Sequence, residues 1–433
     1  MGVESKCSLL TPNILPAPFP SSSFHYTLPQ ERIAEFPASP RGSSKFLHRG
    51  PDGSLKSHER FDEAFGPMWK ERLVDQYHVV FNDSRVIRAR CWVTHLKGEA
   101  RSVEMLLLSP SSSDPTTALM SKATDQKWKC MLRANCSVGD VFSISGGIAE
   151  VVKVLDGWAE EGEGDGTECI VKLRLDSSSS TMLMGEFLES VGEIPIPPYI
   201  ERRVKKEDEI GYQNVYSKQE GSVAAPTAGL HFTDSLMDIV SNSSSFLTLH
   251  VGAGTFKPIV AARISEHQMH GEPFSVDSRE VMGMVRAIED GKGVLSVGTT
   301  SGRTLESLYW LAVKGMKRGG GDSSYYGHLG QWECYELARE FGDDLPPRCK
   351  ALRWLCERSG GKIEGETKLM IKPGYRFQVV DALITNFHAP DSTLMCMVGG
   401  FLGKAEVRRC YDKALNEDFR FLSYGDVCLF ERK

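Results

Sequence analysis

The sequence predicts a mixed α/β main domain with an inserted antiparallel β-barrel domain. Two observations lead to this prediction. Between residues 77 and 175, short strand-like runs follow one another with turn signals but no helical spacing between them, which is typical of a small antiparallel barrel or sandwich. After residue 192, strand-like and helix-like runs alternate, as they do in α/β folds.

The chain divides into three predicted parts. Its first 23 residues are rich in Ser and Pro, which predicts a disordered N-terminal extension. An organelle-targeting peptide is the alternative, which Glu4 and the lack of Arg in this stretch argue against. We expect the α/β domain, with the active site, over residues 24–76 and 192–433, and the barrel domain over residues 77–191.

The barrel prediction depends on seven short runs rich in residues that favour strands. They are HVVF, VIRARCWVTH, SVEMLLLS, KWKCML, DVFSIS, AEVVKVL and CIVKLRL.

Two stretches of the main domain have a clearer pattern. In DSREVMGMVRAIEDG, Val281, Val285 and Ile288 have helical spacing, and Gly291 stands where a helix ends. The stretch GVLSVGTTSGRTLESLYWLAV predicts a buried strand, a Gly-containing loop and a helix. The segment 317–366 is rich in Gly and charged residues and is interpreted as an insertion.

The composition excludes several classes of protein. No apolar run approaches the length of a membrane span. The net charge of −6 gives no overall attraction to nucleic acid, so an RNA partner would need a local basic surface. The eleven cysteines are scattered without a CxxC pair, which indicates reduced thiols and a cytoplasmic protein.

The stretch GSVAAPTAGLHFT, residues 221–233, is unusual because mostly small side chains precede Leu230, His231 and Phe232. Small side chains contribute little to a hydrophobic core. We therefore expect that a ligand approaches this backbone closely, and that His231 projects at the end of the run.

Polar residues recur in two further motifs. In EHQMHGE, His267 and His270 lie three residues apart. A metal site would need a third ligand, which the sequence does not single out, and acid–base, substrate-orienting or structural roles fit at least as well. In VGTTSGRTLES, a strand end, a small-residue loop and a helix start would face an anion. Arg303 would then clamp a carboxylate or phosphate, or else lie on the surface beside an ordinary helix cap.

Two basic clusters are candidates for RNA contacts. The run SRVIRAR places Arg88 and Arg90 on one face of a strand, and IERRVKKEDE contains Arg202, Arg203 and Lys205. As phosphate contacts they would position RNA without reading its sequence. The alternative is a solvated face, which the acids in KKEDE favour.

As a set, and in this order, the motifs GSVAAPTAGLHFT, TLHVGAGTF, HQMHGE, VGTTSGRTLES, PGYRFQVVDALITNFHAPDSTL and SYGD closely resemble the S-adenosylmethionine:tRNA ribosyltransferase-isomerase family of queuosine biosynthesis. The resemblance runs from FHYTLPQERIAEFP to FLSYGDVCLF. It implies an α/β domain with an inserted β-barrel. It also implies transfer of the ribosyl part of S-adenosylmethionine to 7-aminomethyl-7-deazaguanine at the wobble position of tRNA, with rearrangement to epoxyqueuosine and release of adenine and methionine.

The resemblance implies S-adenosylmethionine as a substrate, no tightly bound cofactor, no metal, and tRNA as the partner of a monomer. On this basis we expect acid–base work from His231, His267, His270 and Glu272, with Asp83 as a second carboxylate near the site. The residues expected to bind the substrates are Pro226, Thr227, Ala228, Gly229, His250, Gly252, Gly254, Thr300, Arg303 and His388.

Some positions depart from the family pattern. Gly302 replaces a β-branched residue, which would loosen the loop that holds Arg303. Arg88 stands where proline is usual and Lys372 where an aromatic residue is common, and MVGGFLG is smaller than the usual run. A catalytically diverged RNA-binding paralogue is therefore the first alternative function. A metal-dependent hydrolase built on the histidines is the second.

Overall fold

A large mixed sheet and a closed antiparallel barrel are both present in the computed structural model, which describes residues 24–97, 101–155, 166–177, 179–252, 263–317 and 327–432. The predicted fold class is therefore confirmed.

The strands of the described residues are β1 Phe46–Arg49, β2 Leu55–His58, β3 Tyr77–Asn82, β4 Ser84–Val86, β5 Arg90–His95, β6 Ser102–Pro110, β7 Lys127–Leu132, β8 Val141–Ile144, β9 Gly147–Val154, β10 Thr167–Leu175, β11 Gln219–Ser222, β12 Ser244–Leu249, β13 Glu272–Asp277, β14 Gly293–Val297, β15 His328–Leu329, β16 Lys362–Thr367, β17 Ala382–Asn386 and β18 Val427–Glu431.

The helices of the same residues are α1 Phe61–Met68, α2 Val74–Gln76, α3 Pro115–Leu119, α4 Met184–Val191, α5 Lys206–Gly211, α6 Asp234–Val240, α7 Ser278–Glu289, α8 Thr299–Lys317, α9 Glu333–Phe341, α10 Arg348–Arg358, α11 Thr393–Leu402 and α12 Lys404–Asn416. A π-helical stretch, Trp69–Leu73, joins α1 to α2, and Thr227–His231 forms a short 3-10 helix.

The large sheet has the order β15-β16-β13-β12-β3-β14-β17-β18-β1-β2 within the described residues. Strands β12, β3, β14 and β17 are mutually parallel neighbours. Their carboxyl ends therefore lie at one edge of the sheet, which is where α/β proteins commonly bind ligands.

Strand β3 belongs to this sheet, although the sequence placed its HVVF run in the barrel domain. All six of its residues are buried. Val80 packs into the core on the α8 side, whereas Val79 and Phe81 pack into the core that contains Phe61 of α1. A parallel strand covered on both faces gives a continuous apolar run, and such a run does not reveal which sheet it joins.

The barrel closes in the order β10-β7-β6-β5-β8-β9. All its strand pairs are antiparallel. On β7 the buried side chains Trp128, Cys130 and Leu132 alternate with less buried ones, as a filled barrel interior requires. The barrel strands lie between Arg90 and Leu175, so the barrel is inserted between β4 and β11.

The described part of the segment interpreted as an insertion, residues 327–366, contributes to the large sheet. Strand β16 pairs with the whole of β13, and α10 packs on α7 and α8. Its high charge reflects the exposed outer faces of α9 and α10. This segment is therefore built into the main fold and is not an appendage.

The two stretches with the clearest pattern form the expected elements. Helix α7 begins after Asp277, whose side chain accepts a hydrogen bond from the N–H of Arg279, and Gly291 follows its end with φ +89°. Strand β14 and helix α8 are separated by Gly298 alone. Among the described helices, none combines the length and the apolar character that a membrane span needs.

Candidate active site

A cavity, here named the strand-end cavity, opens at the carboxyl ends of β14 and β17. Its walls come from the segment before the Thr227–His231 helix, the start of α8, the end of β17 and the loop before β18. The lining residues are Tyr199, Ala224, Ala225, Pro226, Thr227, Ala228, Val251, Gly298, Thr299, Thr300, Thr385, Asn386, His388, Ala389, Pro390, Ser392, Leu394, Leu422 and Ser423.

Part of the small run forms one wall of this cavity. Residues 224–228 line it, including the predicted substrate-binding Pro226, Thr227 and Ala228. Gly229 has a different role, because a Cβ there would lie 1.9 Å from the hydroxyl oxygen of Tyr216. Gly229 is therefore needed for packing against Tyr216, and it does not line the cavity.

Gly298 brings helix α8 to the cavity. It has φ +90°, and its N–H donates to the carbonyl of Ile384 on β17. The next two residues, Thr299 and Thr300, line the cavity and begin α8. The first N–H groups of a helix have no helical acceptor and carry partial positive charge, so they favour polar or anionic ligand atoms.

His231 lies behind this wall and does not line the cavity. Its Nδ1 is 2.8 Å from Ser44 Oγ, and its Nε2 is 3.0 Å from Asn386 Nδ2. Asn386 Oδ1 accepts a hydrogen bond from Thr227 Oγ1 at 2.9 Å, so its Nδ2 donates to Nε2 of the histidine. Burial, with smaller contributions from two nearby arginines, lowers the pKa of His231 to about 3. The expectation that His231 projects into the site is therefore corrected, because the neutral ring holds Asn386 in place.

His388 does line the cavity. Its Nε2 is 2.7 Å from Thr385 Oγ1, and its backbone N–H donates to the hydroxyl of Tyr411. Burial lowers the pKa of His388 to about 3. The ring is therefore neutral near pH 7 and can accept a hydrogen bond.

A second cavity, here named the Arg303 cavity, adjoins the first. It is lined by Met269, His270, Arg303, Leu369, Met370, Ile371, Thr393, Leu394 and Met397. Leu394 lines both cavities. Thr300 and Arg303 are one turn apart on α8, so one face of this helix contributes to both cavities.

Glu272 and Arg303 form a buried ion pair beside the Arg303 cavity. Arg303 Nη1 donates to Glu272 Oε2, and Arg303 Nε donates to the carbonyl of Leu369. His270 Nε2 is 3.5 Å from the other Glu272 oxygen. Burial alone would raise the pKa of the Glu272 carboxyl, but Arg303 and His270 lower it to about 2. Glu272 is therefore ionised near pH 7, and the predicted Glu272, His270 and Arg303 do come together.

Three other predicted residues do not line either cavity. The Asp83 carboxylate accepts a hydrogen bond from Thr248 Oγ1 at 2.7 Å, and burial raises its pKa. His267 is half-buried, and its carbonyl accepts a hydrogen bond from Gln331. The ring of His250 packs against Gly221, where an added Cβ would lie 2.9 Å from its Cε1. These positions do not support the predicted roles at the site.

The structure describes only one of the two glycines of the HVGAGTF motif. A Cβ on Gly252 would lie 3.4 Å from His270 Cδ2, which is an ordinary contact distance, so Gly252 lies beside His270 but the position of this ring does not require a glycine. Gly254 lies outside the described residues.

Most of the predicted RNA-binding cations are held by the protein itself. Three of them have carboxylate partners, in the pairs Arg88 with Glu189 and Glu209, Arg90 with Glu104, and Arg202 with Asp208. Arg203 and Lys205 are exposed. They lie a few residues beyond Tyr199, which lines the strand-end cavity.

Where glycines depart from the family pattern, neighbouring groups occupy the space that a larger side chain would take. Gly302 lies inside α8, and a Cβ there would be 2.7 Å from Met397 Cε. Likewise, Gly399 packs against the ring of Phe24, and Gly400 against the carbonyl of Lys372. The expectation that Gly302 loosens the loop is therefore corrected, because Arg303 is held in a buried helix.

The sequence analysis missed several polar residues of the strand-end cavity. Thr385 and Asn386 end β17, and their signal was a pair of polar residues after an apolar run. Tyr199 forms a hydrogen bond with Ser423, which also lines the cavity, but the Pro-rich EIPIPPYI stretch was interpreted as a connector. Among the residues that the structure describes, no three His, Cys, Asp or Glu side chains converge as metal ligands.

The chain is similar to proteins of one family over nearly its whole length. A family model for queuosine biosynthesis proteins matches residues 21–430. Proteins called S-adenosylmethionine:tRNA ribosyltransferase-isomerase from Nitrosospira multiformis, Trichlorobacter lovleyi and Clostridioides difficile are 35%, 33% and 33% identical, over 94% of this chain and 98% of each relative.

A crystal structure of an S-adenosylmethionine tRNA ribosyltransferase from Thermotoga maritima is also similar, with 23% identity and a TM-score of 0.42 over 94% of this chain and 99% of that one. The family model and the curated relatives show that this chain is an enzyme of the transferase-isomerase class and belongs to the queuosine biosynthesis protein family.

Proposed function

We propose that this chain transfers the ribosyl part of S-adenosylmethionine to 7-aminomethyl-7-deazaguanine at the wobble position of tRNA and isomerises it. The products are epoxyqueuosine in the tRNA, free adenine and free methionine. Membership of the family supports the reaction class. The observation that carries the assignment to a site is the strand-end cavity, whose lining combines a run of small residues with His388 and Thr300.

The polarity of the strand-end cavity suits a nucleoside. Its polar lining groups are hydroxyls, an amide and an imidazole, and none of its lining residues is Lys or Arg. A cationic sulfonium donor therefore meets no like charge here. The backbone of residues 224–228 permits close approach of a sugar or base because its side chains are small.

The reaction needs proton transfer and positioning. A sulfonium acidifies the neighbouring ribose carbon, so a base that removes this proton starts the elimination. Departure of adenine needs a hydrogen-bond donor at the base, and the attacking amine must be neutral. We assign His388 to the ribosyl group, because it is the one imidazole among the described residues that line the strand-end cavity.

His231 then acts as a positioning residue. Through Asn386 it fixes the hydroxyl of Thr227, which lines the cavity. Because this hydroxyl donates its hydrogen to Asn386, its oxygen is left to accept a hydrogen bond from the ribose or base.

The tRNA needs a local basic surface because the chain carries a net charge of −6. Arg203 and Lys205 are the predicted cations that remain exposed. Because they follow Tyr199, a residue that lines the strand-end cavity, we assign them to phosphates flanking the wobble nucleotide.

The test is mass spectrometry of precursor tRNA incubated with the protein and S-adenosylmethionine. We expect epoxyqueuosine in the digested tRNA and an equal amount of free adenine. Binding of the tRNA without either product would contradict the proposal and favour a non-catalytic RNA-binding protein. Loss of the reaction in a chelator would favour a metal-dependent mechanism instead.

A His388→Ala variant tests the assignment within the cavity. We expect kcat to fall by about 10²- to 10⁴-fold, as is usual when an acid–base group is removed, while tRNA affinity stays unchanged. Unchanged kcat in a folded variant would remove His388 from the chemistry.

A further inference from the structure

The Arg303 cavity contains an unsatisfied cationic donor. Arg303 is 7% exposed. Its Nη1 and Nε have protein acceptors, whereas its Nη2 is buried without a hydrogen-bond partner among the described residues. A buried N–H group without a partner is unfavourable, and a guanidinium N–H group binds carboxylate or phosphate oxygens strongly. The Nη2 group can therefore donate a hydrogen bond to one anionic group in this cavity.

The remaining walls of the cavity limit what carries that anion. Six of its lining side chains are apolar, namely Met269, Leu369, Met370, Ile371, Leu394 and Met397. A phosphodiester backbone is strongly hydrated and extended, so it does not suit such walls. A short aliphatic chain that ends in a carboxylate matches the chemistry of the walls and the guanidinium, and the cavity, of about 20 Å³, would have to widen at its methionine side chains to admit it.

The position of this cavity also fits a two-part ligand. Leu394 lines both cavities, and α8 contributes Thr300 to one and Arg303 to the other. A single donor molecule can therefore lie across both cavities, with its sulfur near Leu394.

We propose that the Arg303 cavity binds the methionyl end of the sulfonium donor, with the α-carboxylate on Nη2 of Arg303 and the thioether chain between the apolar side chains. This assignment rests on the proposed function, and it chooses the carboxylate over a tRNA phosphate. His270 also lines this cavity, beside the Glu272 carboxylate. The ribosyl carbon bonded to sulfur then faces the strand-end cavity.

The test compares two donors, S-adenosylmethionine and its decarboxylated form, which keeps the sulfonium, the amine and the nucleoside. With saturating precursor tRNA, we expect kcat/KM for adenine release by the wild-type enzyme to be about 10- to 100-fold lower with the decarboxylated donor, since a charge-assisted hydrogen bond is lost. Equal use of the two donors would overturn the proposal.

A double variant, Arg303→Gln with Glu272→Gln, removes both charges of the ion pair together and leaves no unpaired buried carboxylate. We expect it to use the two donors almost equally, with an unchanged KM for tRNA. The matched control is Arg348→Gln with Asp381→Asn, which removes an ion pair outside both cavities and should keep the wild-type preference. If the double variant keeps that preference, or raises only the KM for tRNA, then Arg303 does not bind the donor carboxylate.

A measurement of donor binding tests this proposal independently of the proposed function. If the wild-type protein releases no adenine, the proposed function fails. Calorimetric titration of the wild-type protein with the two donors, without tRNA, still tests the subsite. Tighter binding of the carboxylated donor supports the assignment, and equal binding overturns it. The wild-type comparison also stands if the double variant does not fold.

Discussion

Gly298→Ala is expected to lower both stability and activity, for two separate reasons. Gly298 has φ +90°, a conformation that residues with a side chain rarely adopt. The added Cβ would lie 3.6 Å from Thr300 Oγ1 and 3.7 Å from Ala228 Cβ, which are ordinary contact distances. Backbone strain is therefore the main cost, and we expect the free energy of unfolding to fall by about 1–2 kcal/mol.

The new methyl group would also narrow the strand-end cavity between the small-residue wall and α8. A displacement of a bound substrate by about 1 Å costs on the order of 10²-fold in rate. We therefore expect kcat/KM for S-adenosylmethionine to fall by about 10- to 100-fold. Urea denaturation measures the change in stability, and adenine release from precursor tRNA measures the change in activity.

Gly291→Ala is the matched control. Gly291 has φ +89°, and no atom lies within 4 Å of an added Cβ. The control should lose the same stability and keep the wild-type kcat/KM. Wild-type kinetics in Gly298→Ala, or an equal loss of activity in Gly291→Ala, would refute the reasoning that Gly298 lines the substrate site.

Three further predictions concern the buried charges and the surface. Glu306→Ala removes the acceptor of four buried donors, so the free energy of unfolding in urea should fall by about 3–5 kcal/mol; an unchanged midpoint would contradict this. The pKa values of His231 and His388 are lowered to about 3 in the folded protein. As the pH falls, the unfolded chain therefore binds protons at these two residues at a higher pH than the folded protein does. Stability should therefore be lost as pH falls from about 6.5 to 3, by about 1.4 kcal/mol per pH unit for each imidazole. His231→Gln should reduce this slope in urea titrations at several pH values, and an unaltered slope would show that the ring protonates freely. Finally, Arg203→Ala with Lys205→Ala should weaken tRNA binding and reduce the salt dependence of log K by about 1.5, measured by filter binding; an unchanged salt dependence would exclude both as phosphate contacts.

Elements with local signals could be predicted from the sequence. Helix α7 has its Asp cap, its spaced apolar residues and Gly291 within one short stretch. Strand β14 and helix α8 are likewise predicted by the pattern of one continuous stretch of residues. Strand β3 could not be assigned to its sheet, because its partners β12 and β14 lie far along the chain.

The sequence predicted which small residues form a wall of the candidate site, but it did not predict which way the side chains near them point. The small run indicated a wall, and residues 224–228 do line the strand-end cavity. The direction of the His231 ring depends on Ser44 and Asn386, which are 187 and 155 residues away. Such long-range hydrogen bonds leave no trace in a local motif.

The roles of the charged groups were the least predictable. Glu272 was expected to be an acid–base group, but its pairing with Arg303 keeps it ionised. Similarly, Arg88 and Arg202 are neutralised by acids on or near α5. A charge in a sequence therefore indicates neither its partner nor its freedom to bind a ligand.

The most direct measurement is a crystal structure of this protein with S-adenosylmethionine bound. The proposals above predict the ribose beside Thr227 and Thr300, the sulfur near Leu394 and the carboxylate within hydrogen-bond distance of Arg303 Nη2. A donor bound outside both cavities, or one with its carboxylate pointing away from Arg303, would contradict them.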